Sequence, residues 1–125
     1  MKHTISLNRN EQFLFVYRNG KRAYHKYFTL YYVPNRKDVN RLGFKVSKKL
    51  AKAAKRNRLK RLMRECYRMF EEQMVSGYDI IMAARDGSLE IDSYQEMSII
   101  FEKLFHRADL MHKCLPGEKP QNEKV

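Results

Sequence analysis

The spacing of apolar residues near the start of the chain predicts a short amphipathic helix. Phe13, Val16 and Tyr17 recur at intervals of three and four residues, which places them on one helix face. Asn8 is a suitable N-cap, and Gly20 is a residue type that commonly follows a last helical turn. We therefore predict a first helix that begins at about Asn8 and ends before Gly20.

Two strand patterns follow this helix. Residues 23–33 are rich in Tyr, Phe, Thr, Leu and Val, a composition that favours a strand with apolar or aromatic residues on both faces. Residues 34–40 carry Pro, Asn, Asp, Arg and Lys and predict a hairpin loop. After the loop the pattern alternates, so one side of the next strand is apolar and the other is small and cationic. The apolar side carries Leu42, Phe44 and Val46, and the cationic side carries Arg41, Gly43, Lys45 and Ser47.

The segment after this strand predicts a helix with two chemically different sides. At about 100° per residue, apolar side chains collect on one side and basic side chains on the other. The apolar side comprises Leu59, Leu62, Met63, Cys66, Tyr67, Met69 and Phe70. The opposite side, called the basic face below, comprises Arg56, Asn57, Arg58, Lys60, Arg61, Arg64 and Arg68.

The remaining elements complete one α+β domain. Residues 78–84 predict a short buried strand, and residues 93–110 predict a last amphipathic helix. The order α-β-β-α-β-α, with one more strand if the long first run divides, is typical of a two-layer α-β sandwich with a small mixed sheet. We predict a single domain over residues 1–112 and a disordered tail over residues 113–125, which contain two prolines and several charges.

Charge is concentrated in one segment. Residues 45–68 hold eleven Lys or Arg residues and one acid, Glu65, so they carry +10 of the chain's formal net charge of +12. A solvated helix face normally mixes acids with bases to form pairs three or four residues apart, and here the acids are missing. Nucleic acid is the partner that this pattern favours. Arginine suits phosphate contacts, and the Asn57 amide could contact a base edge or a 2′-hydroxyl.

The longer motifs resemble those of the protein subunit of bacterial ribonuclease P. They are RLGFKVSKK at residues 41–49 and KRNRLKRLMRE at residues 55–65. Further matches are Asn10, Glu11, Phe13, Val16, Tyr17 and Gly20 near the start, and YDII at residues 78–81 followed by Arg85. The resemblance spans roughly residues 5 to 110. It implies a left-handed strand-helix-strand crossover around the basic helix, against the usual right-handed preference.

The resemblance also implies the partners. It implies a cofactor of a catalytic RNA that removes the 5′ leader of precursor tRNA, with Mg²⁺ used by the RNA and one protein per RNA. The residues themselves predict a cytoplasmic protein without a membrane partner, because no apolar run is long enough for a membrane span or a secretory segment. The basic face, with Lys48 and Lys49 beside it, would contact the catalytic RNA. A cleft between the first helix and the sheet would hold the single-stranded leader and maps onto Phe13, Tyr17, Tyr31 and Lys45.

Other functions are weaker interpretations of the same residues. His3, His25, His106 and His112 are scattered, without Glu or Cys at ligand spacing, so we predict no catalytic residues, no metal site and no activity for the protein alone. The alternative is a structural RNA-binding protein, either a ribosomal component or an RNA chaperone, which would need the basic helix but not the cleft. A DNA-binding regulator fits poorly because no helix-turn-helix spacing is visible.

Overall fold

In the described part of the chain, three α-helices pack on one five-stranded mixed sheet. A computed structural model describes residues 4–7, 9–91 and 93–112. Short 3₁₀ turns at Glu71–Gln73 and Ser88–Glu90 follow the second helix and the last strand. The elements in chain order are β1 (Thr4–Ser6), α1 (Asn10–Asn19), β2 (Lys21–Tyr24), β3 (Phe28–Pro34), β4 (Asn40–Lys45), α2 (Ala53–Phe70), β5 (Tyr78–Ala84) and α3 (Tyr94–Arg107).

The order of strands across the sheet is β1-β4-β5-β3-β2. β4 pairs in parallel with both β1 and β5, while β3 is antiparallel to β5 and to β2. The prediction of a hairpin between β3 and β4 is therefore wrong, because β5 lies between them. The four consecutive residues 79–82 of β5 are buried, as expected for a central strand covered on both faces.

The long strand predicted over residues 23–33 is divided. A turn interrupts it, in which the His25 backbone N–H donates to the Phe28 carbonyl and the Tyr27 N–H donates to His25 Nδ1 at 3.0 Å. The first half, β2, begins at Lys21 and forms one edge of the sheet. β1, which forms the opposite edge, lies in a segment for which no strand was predicted.

The larger core lies between the sheet and the pair α2 and α3. It contains the alternate positions Leu30, Leu42, Ile80 and Met82 of the strands. From the helices it receives the apolar side of α2 and the buried stripe of α3, where the rings of Phe101 and Phe105 stack with centroids 4.3 Å apart. Cys66, predicted on the apolar side of α2, belongs to this core, and burial raises the pKa of its thiol to about 12, so the thiol is protonated.

The other face of the sheet carries α1 and a smaller core. Leu7, Val16 and Ile81 are buried there, and half-buried aromatic rings surround them. Helices therefore lie on both faces, with α1 forming a partial third layer. The α+β class and the parallel pairing of the strands around α2 are confirmed, while the left-handed sense of that crossover stays a prediction.

Helix boundaries agree with the predicted ones to within a few residues. The N-cap of α1 is Arg9 rather than the predicted Asn8, which is outside the described residues. At the end of this helix, the Gly20 N–H donates to the Val16 carbonyl. The Ser93 hydroxyl caps α3 by accepting from the Glu96 N–H at 3.0 Å. α3 ends at Arg107 rather than at residue 110. The tail predicted to be disordered, residues 113–125, also lies outside the described residues.

Candidate nucleic-acid interface

The basic face is the outer side of α2. Leu59, Met63, Cys66 and Tyr67 of this helix are buried against the core. On the opposite side two residues, Arg56 and Lys60, are half-buried along their stems. The other five are exposed: Asn57, Arg58, Arg61, Arg64 and Arg68. At 1.5 Å rise per residue, Arg56, Lys60 and Arg64 follow one another at roughly 6 Å, so the helix presents a row of cations.

This row has almost no internal compensation. Among the described residues, Arg68 pairs with Glu65 at 3.2 Å, and no carboxylate lies within ion-pair distance of another cation of the basic face. The beginning of α2 adds to the excess, because its N-cap is Lys52 without a side-chain cap and its first turn has no acid. Cations there oppose the helix dipole. An anionic partner would therefore relieve both the repulsion among these cations and their unfavourable interaction with the helix dipole.

Lys48 and Lys49 lie in the turn between β4 and α2. Both are exposed, and the Lys49 backbone N–H donates to Ser47 Oγ at 3.1 Å. Lys45 stands three residues earlier at the end of β4, but its side of the strand is the α1 face rather than the α2 face. Lys48 and Lys49 therefore lie in the turn that leads from the sheet to the basic face, whereas Lys45 lies on the α1 face of the sheet and is not part of the basic face.

On the α1 face, three rings selected from the sequence come together. The Phe13 and Tyr17 rings of α1 have centroids 6.3 Å apart, and Tyr17 meets Tyr31 of β3 edge to face at 4.8 Å. All three rings are half-buried against Ile81. With Lys45, they form what we call the aromatic cleft.

The register of the sheet gives the cleft its floor. One row across the strands runs Gly43, Ile81, Tyr31 and Arg22, and α1 packs over it. The next row on the same face runs Lys45, Ala83, Thr29 and Tyr24. A cation and an exposed tyrosine thus stand at opposite ends of this second row, with two small residues between them.

Gly43 allows the helix to approach the sheet. A Cβ atom at this position would lie 2.7 Å from Cζ of Phe13 and 3.2 Å from Cβ of Leu7. The first distance is too short for a real carbon contact and the second is tight, so a side chain here would displace the Phe13 ring. The small residue on the cationic side of β4, seen in the sequence pattern, is therefore what seats Phe13.

Arg22 is a cleft residue that the sequence analysis missed. Its guanidinium carbon lies 5.4 Å from the centroid of the Tyr31 ring, within cation–π range. The predicted strand began at residue 23 and was continuous, whereas Arg22 meets Tyr31 because the chain turns between β2 and β3 and the two strands pair antiparallel. Alternation along one strand would have placed Arg22 on the opposite face from Tyr31.

The surroundings of Tyr17 and Arg22 determine the charge that each side chain carries in the cleft. Burial, and then the nearness of Tyr31, raise the pKa of Tyr17, so its hydroxyl stays neutral and can donate. A hydrogen bond to Tyr24, and then the nearby Tyr24 and Tyr31, raise the pKa of Arg22, which stays cationic. The cleft therefore combines neutral rings with fixed positive charge, the combination that single-stranded nucleic acids use for stacking and phosphate contact.

Another cation on this face is already neutralised. Arg41 donates to both carboxylate oxygens of buried Asp79, at 2.7 and 2.6 Å, and Asn35 donates to the same carboxylate at 2.9 Å. This bidentate pair joins β4 to β5. Arg41 is therefore a structural residue, whereas Lys45 and Arg22 keep their charges available.

Within residues 4–7, 9–91 and 93–112, no group of three or more His, Cys, Asp or Glu side chains could hold a metal ion. Within the same ranges, no helix is long and apolar enough to cross a membrane.

Comparisons with known proteins agree on one family. The family model described as Ribonuclease P matches residues 1–109. The ribonuclease P protein component of Lachnoclostridium phytofermentans is 41% identical over 115 residues, covering 92% of this chain and 95% of that protein. Its counterpart from Natranaerobius thermophilus is 38% identical over 113 residues, covering 90% and 97%.

Comparison of the fold with solved structures identifies the same family. A solved structure of the RNase P protein from Staphylococcus aureus superimposes with a TM-score of 0.79 at 28% identity. The match covers 86% of this chain and 97% of that one. Sequence and architecture therefore point to the same relatives over nearly their whole length.

Proposed function

The chain belongs to the ribonuclease P protein family, and from this premise we propose that it is the protein cofactor of a ribonucleoprotein that removes the 5′ leader of precursor tRNA. The catalytic RNA performs the phosphodiester hydrolysis and holds the Mg²⁺ that the reaction requires. The protein binds and orients the two RNAs, one protein per catalytic RNA, in the bacterial cytoplasm.

The observation that carries this proposal is the uncompensated row of cations on α2. Arg56, Lys60 and Arg64 lie on one side of a helix whose other side is buried, so they can contact several phosphates of a folded RNA at once. Arg58, Arg61, Arg68, Lys48 and Lys49 widen this surface, and Asn57 lies within it. These cations also reduce the repulsion between two polyanions that must meet.

The aromatic cleft supports the second half of the proposal. Phe13, Tyr17 and Tyr31 would stack against unpaired bases of the leader, and Lys45 would contact its backbone. Each stacked base contributes about 1–3 kcal/mol. Because mature tRNA has no leader, this contact is available only to the unprocessed substrate, which favours binding of substrate over product.

Charge reversal tests the basic face. We expect Arg56→Glu, Lys60→Glu and Arg64→Glu together to weaken binding of the catalytic RNA on the order of 100-fold or more, because attraction to several phosphates becomes repulsion. A matched control reverses three exposed cations elsewhere, Arg18, Arg36 and Lys37, with the same change in net charge.

Binding of the RNA by both variants is measured at fixed salt concentration. Equal losses in the two would mean that only net charge matters. Normal assembly of the Arg56, Lys60 and Arg64 variant would contradict the proposal.

Substitution in the cleft separates this function from the alternative. We expect Phe13→Ala with Tyr31→Ala to weaken binding of leader-bearing tRNA about 10-fold or more while affinity for mature tRNA stays unchanged, because only the leader loses its stacking partners. The measurement is the dissociation constant of the assembled ribonucleoprotein for both substrates. Equal affinities of the variant and the unaltered protein for leader-bearing tRNA would favour a ribosomal component or RNA chaperone. Purified protein that cleaved the substrate without RNA would contradict the assignment of the chemistry to RNA.

A further inference from the structure

A second group of cations lies beyond the edge of the aromatic cleft. It gathers around the turn between β2 and β3 and comprises Lys26, Arg85, Lys103 and Arg107, here called the turn cluster. These residues come from three parts of the chain, namely the turn itself, the end of β5 and the helix α3. All four are exposed. Their separation in sequence is the reason that no charge run revealed them.

Specific contacts hold the cluster together. The Arg107 guanidinium donates to the Tyr24 carbonyl, and the Arg85 guanidinium donates to the His25 carbonyl at 3.5 Å. The Lys26 ammonium lies 5.4 Å from the centroid of the Tyr27 ring. Two arginines are thus fixed on the backbone of one turn. Within the part of the chain that the structure describes, Lys26 and Lys103 make no such backbone contact, so their side chains can reach a ligand.

The local field is positive. Burial, followed by the charges of Arg107, Lys103 and Lys26, lowers the pKa of His25, as expected where three cations converge on one side chain. Among the described residues, none of the four forms an ion pair with a carboxylate. A surface pocket of about 520 Å³ opens beside them, lined by Lys103, His106 and Arg107 together with Ile99 and Glu102. Glu102 is the one acid in this lining.

The floor of the aromatic cleft leads to this cluster. Along β2, Arg22 and Tyr24 share the cleft face. Tyr24 is 52% exposed, and its carbonyl is the group that Arg107 binds. From Lys45 to Tyr24 the row crosses three strand spacings, about 14 Å. A single strand lying across the cleft therefore passes an exposed ring and arrives at the turn cluster.

We propose that the turn cluster is a distal phosphate site, which binds the backbone of the 5′ leader beyond the nucleotides held by the aromatic cleft. This inference rests on the proposed function, since it extends the same substrate contact. Cations that follow an aromatic platform are the usual means by which proteins track a single strand. Because the contacts are to phosphates, the site adds affinity for longer leaders without selecting their sequence.

Leader length tests the inference. The variant is Lys26→Ala with Lys103→Ala, and the matched control is Arg36→Ala with Lys37→Ala, two exposed cations in the loop at the opposite end of β3. The assembled ribonucleoprotein is titrated with precursor tRNAs whose leaders increase from about two to about twelve nucleotides. Affinity of each variant for the catalytic RNA alone is measured in parallel.

We expect the Lys26 and Lys103 variant to lose about 3- to 10-fold in affinity for long leaders and nothing for short ones, while the control loses nothing. The plot of log affinity against log salt concentration has a negative slope, and this slope should become less steep by about 0.7 for each lost phosphate contact, again only with long leaders. A loss that is equal at all leader lengths, a loss of affinity for the catalytic RNA, or no loss at all would each overturn the inference. If the unaltered protein showed no dependence on the leader, the proposed function itself would fail, and the Phe13 and Tyr31 variant would report that separately.

Discussion

Gly43 determines how closely α1 can approach the sheet. The ring of Phe13 occupies the space where a side chain at this position would stand. Phe13 in turn borders Tyr17, and Tyr17 borders Tyr31, so the three rings depend on one missing methyl group. The geometry of the aromatic cleft is therefore fixed by a residue that would make no contact with a leader itself.

Substitution of this glycine is expected to disturb the cleft before it disturbs the fold. Gly43→Ala should push the Phe13 ring away, lower the free energy of unfolding by about 1–3 kcal/mol and weaken binding of leader-bearing tRNA. Urea denaturation and substrate titration measure the two effects. Adding Phe13→Leu should restore much of the stability, because the shorter side chain leaves space, but should not restore leader binding. Unchanged leader affinity in Gly43→Ala would show that Phe13 is not a platform.

At the scale of elements, one side of α2 stabilises the helix and the other side destabilises it. Its buried side packs Met63 and Tyr67 into the main core, whereas its outer side repeats like charges at every fourth residue. Such repeats destabilise an isolated helix. The helix therefore owes its stability to tertiary packing, and its beginning at Lys52 is its weakest point.

A better N-cap should strengthen that weak point. Lys52→Ser places a hydroxyl where the backbone already has the extended conformation of a cap. We expect the free energy of unfolding to rise by about 1 kcal/mol relative to Lys52→Ala, which removes the same charge without supplying an acceptor. Urea denaturation of the two variants measures the difference. Equal stabilities would mean that the start of α2 is capped in another way.

The sequence was sufficient for elements whose pattern is local. The boundaries of β5 and the two sides of α2 could be predicted because burial on both faces and a helical charge pattern leave direct signatures. Strand neighbours could not, since the central place of β5 depends on which strands compete for it. β1 was missed because three residues with exposed Ile5 and Ser6 carry no pattern.

The candidate site was predictable to a similar degree. Cations on one helix face follow from spacing alone, and so the basic face needed no further information. The grouping of Phe13, Tyr17 and Tyr31 came from resemblance to a family, because rings at helix and strand spacing are equally suited to a core. Arg22 and the turn cluster were missed because only the folded sheet brings them beside these rings.

At the scale of the whole molecule, positive charge lies on two sides of one small sheet. The basic face covers one side, the aromatic cleft lies on the other, and the turn cluster lies at the β2 edge, where α3 meets the sheet. The formal net charge of +12 acts against the compact state wherever no anion is bound. Folding and binding of RNA should therefore reinforce each other.

Inorganic anions should reproduce part of this effect. We expect sulfate to raise the melting temperature more than chloride at equal ionic strength, because it binds the native cation row and not the unfolded chain. The variant with Arg56, Lys60 and Arg64 changed to Glu should lose most of that difference while keeping the general salting effect of sulfate. Thermal denaturation of both proteins in the two salts makes the comparison. If sulfate raised the melting temperature of the variant by as much as that of the unaltered protein, the anion would bind outside the basic face.

The central position of β5 has a consequence for synthesis of the protein. β3 and β4 are both translated before residue 78, yet each finds its main partner only in β5. A nascent chain that stops short of this strand exposes two unpaired strand edges together with the cationic helix that follows β4. Unpaired edges promote aggregation, so a ribosome that stalls or terminates early would release a product that adheres to other chains and to RNA rather than a smaller working domain.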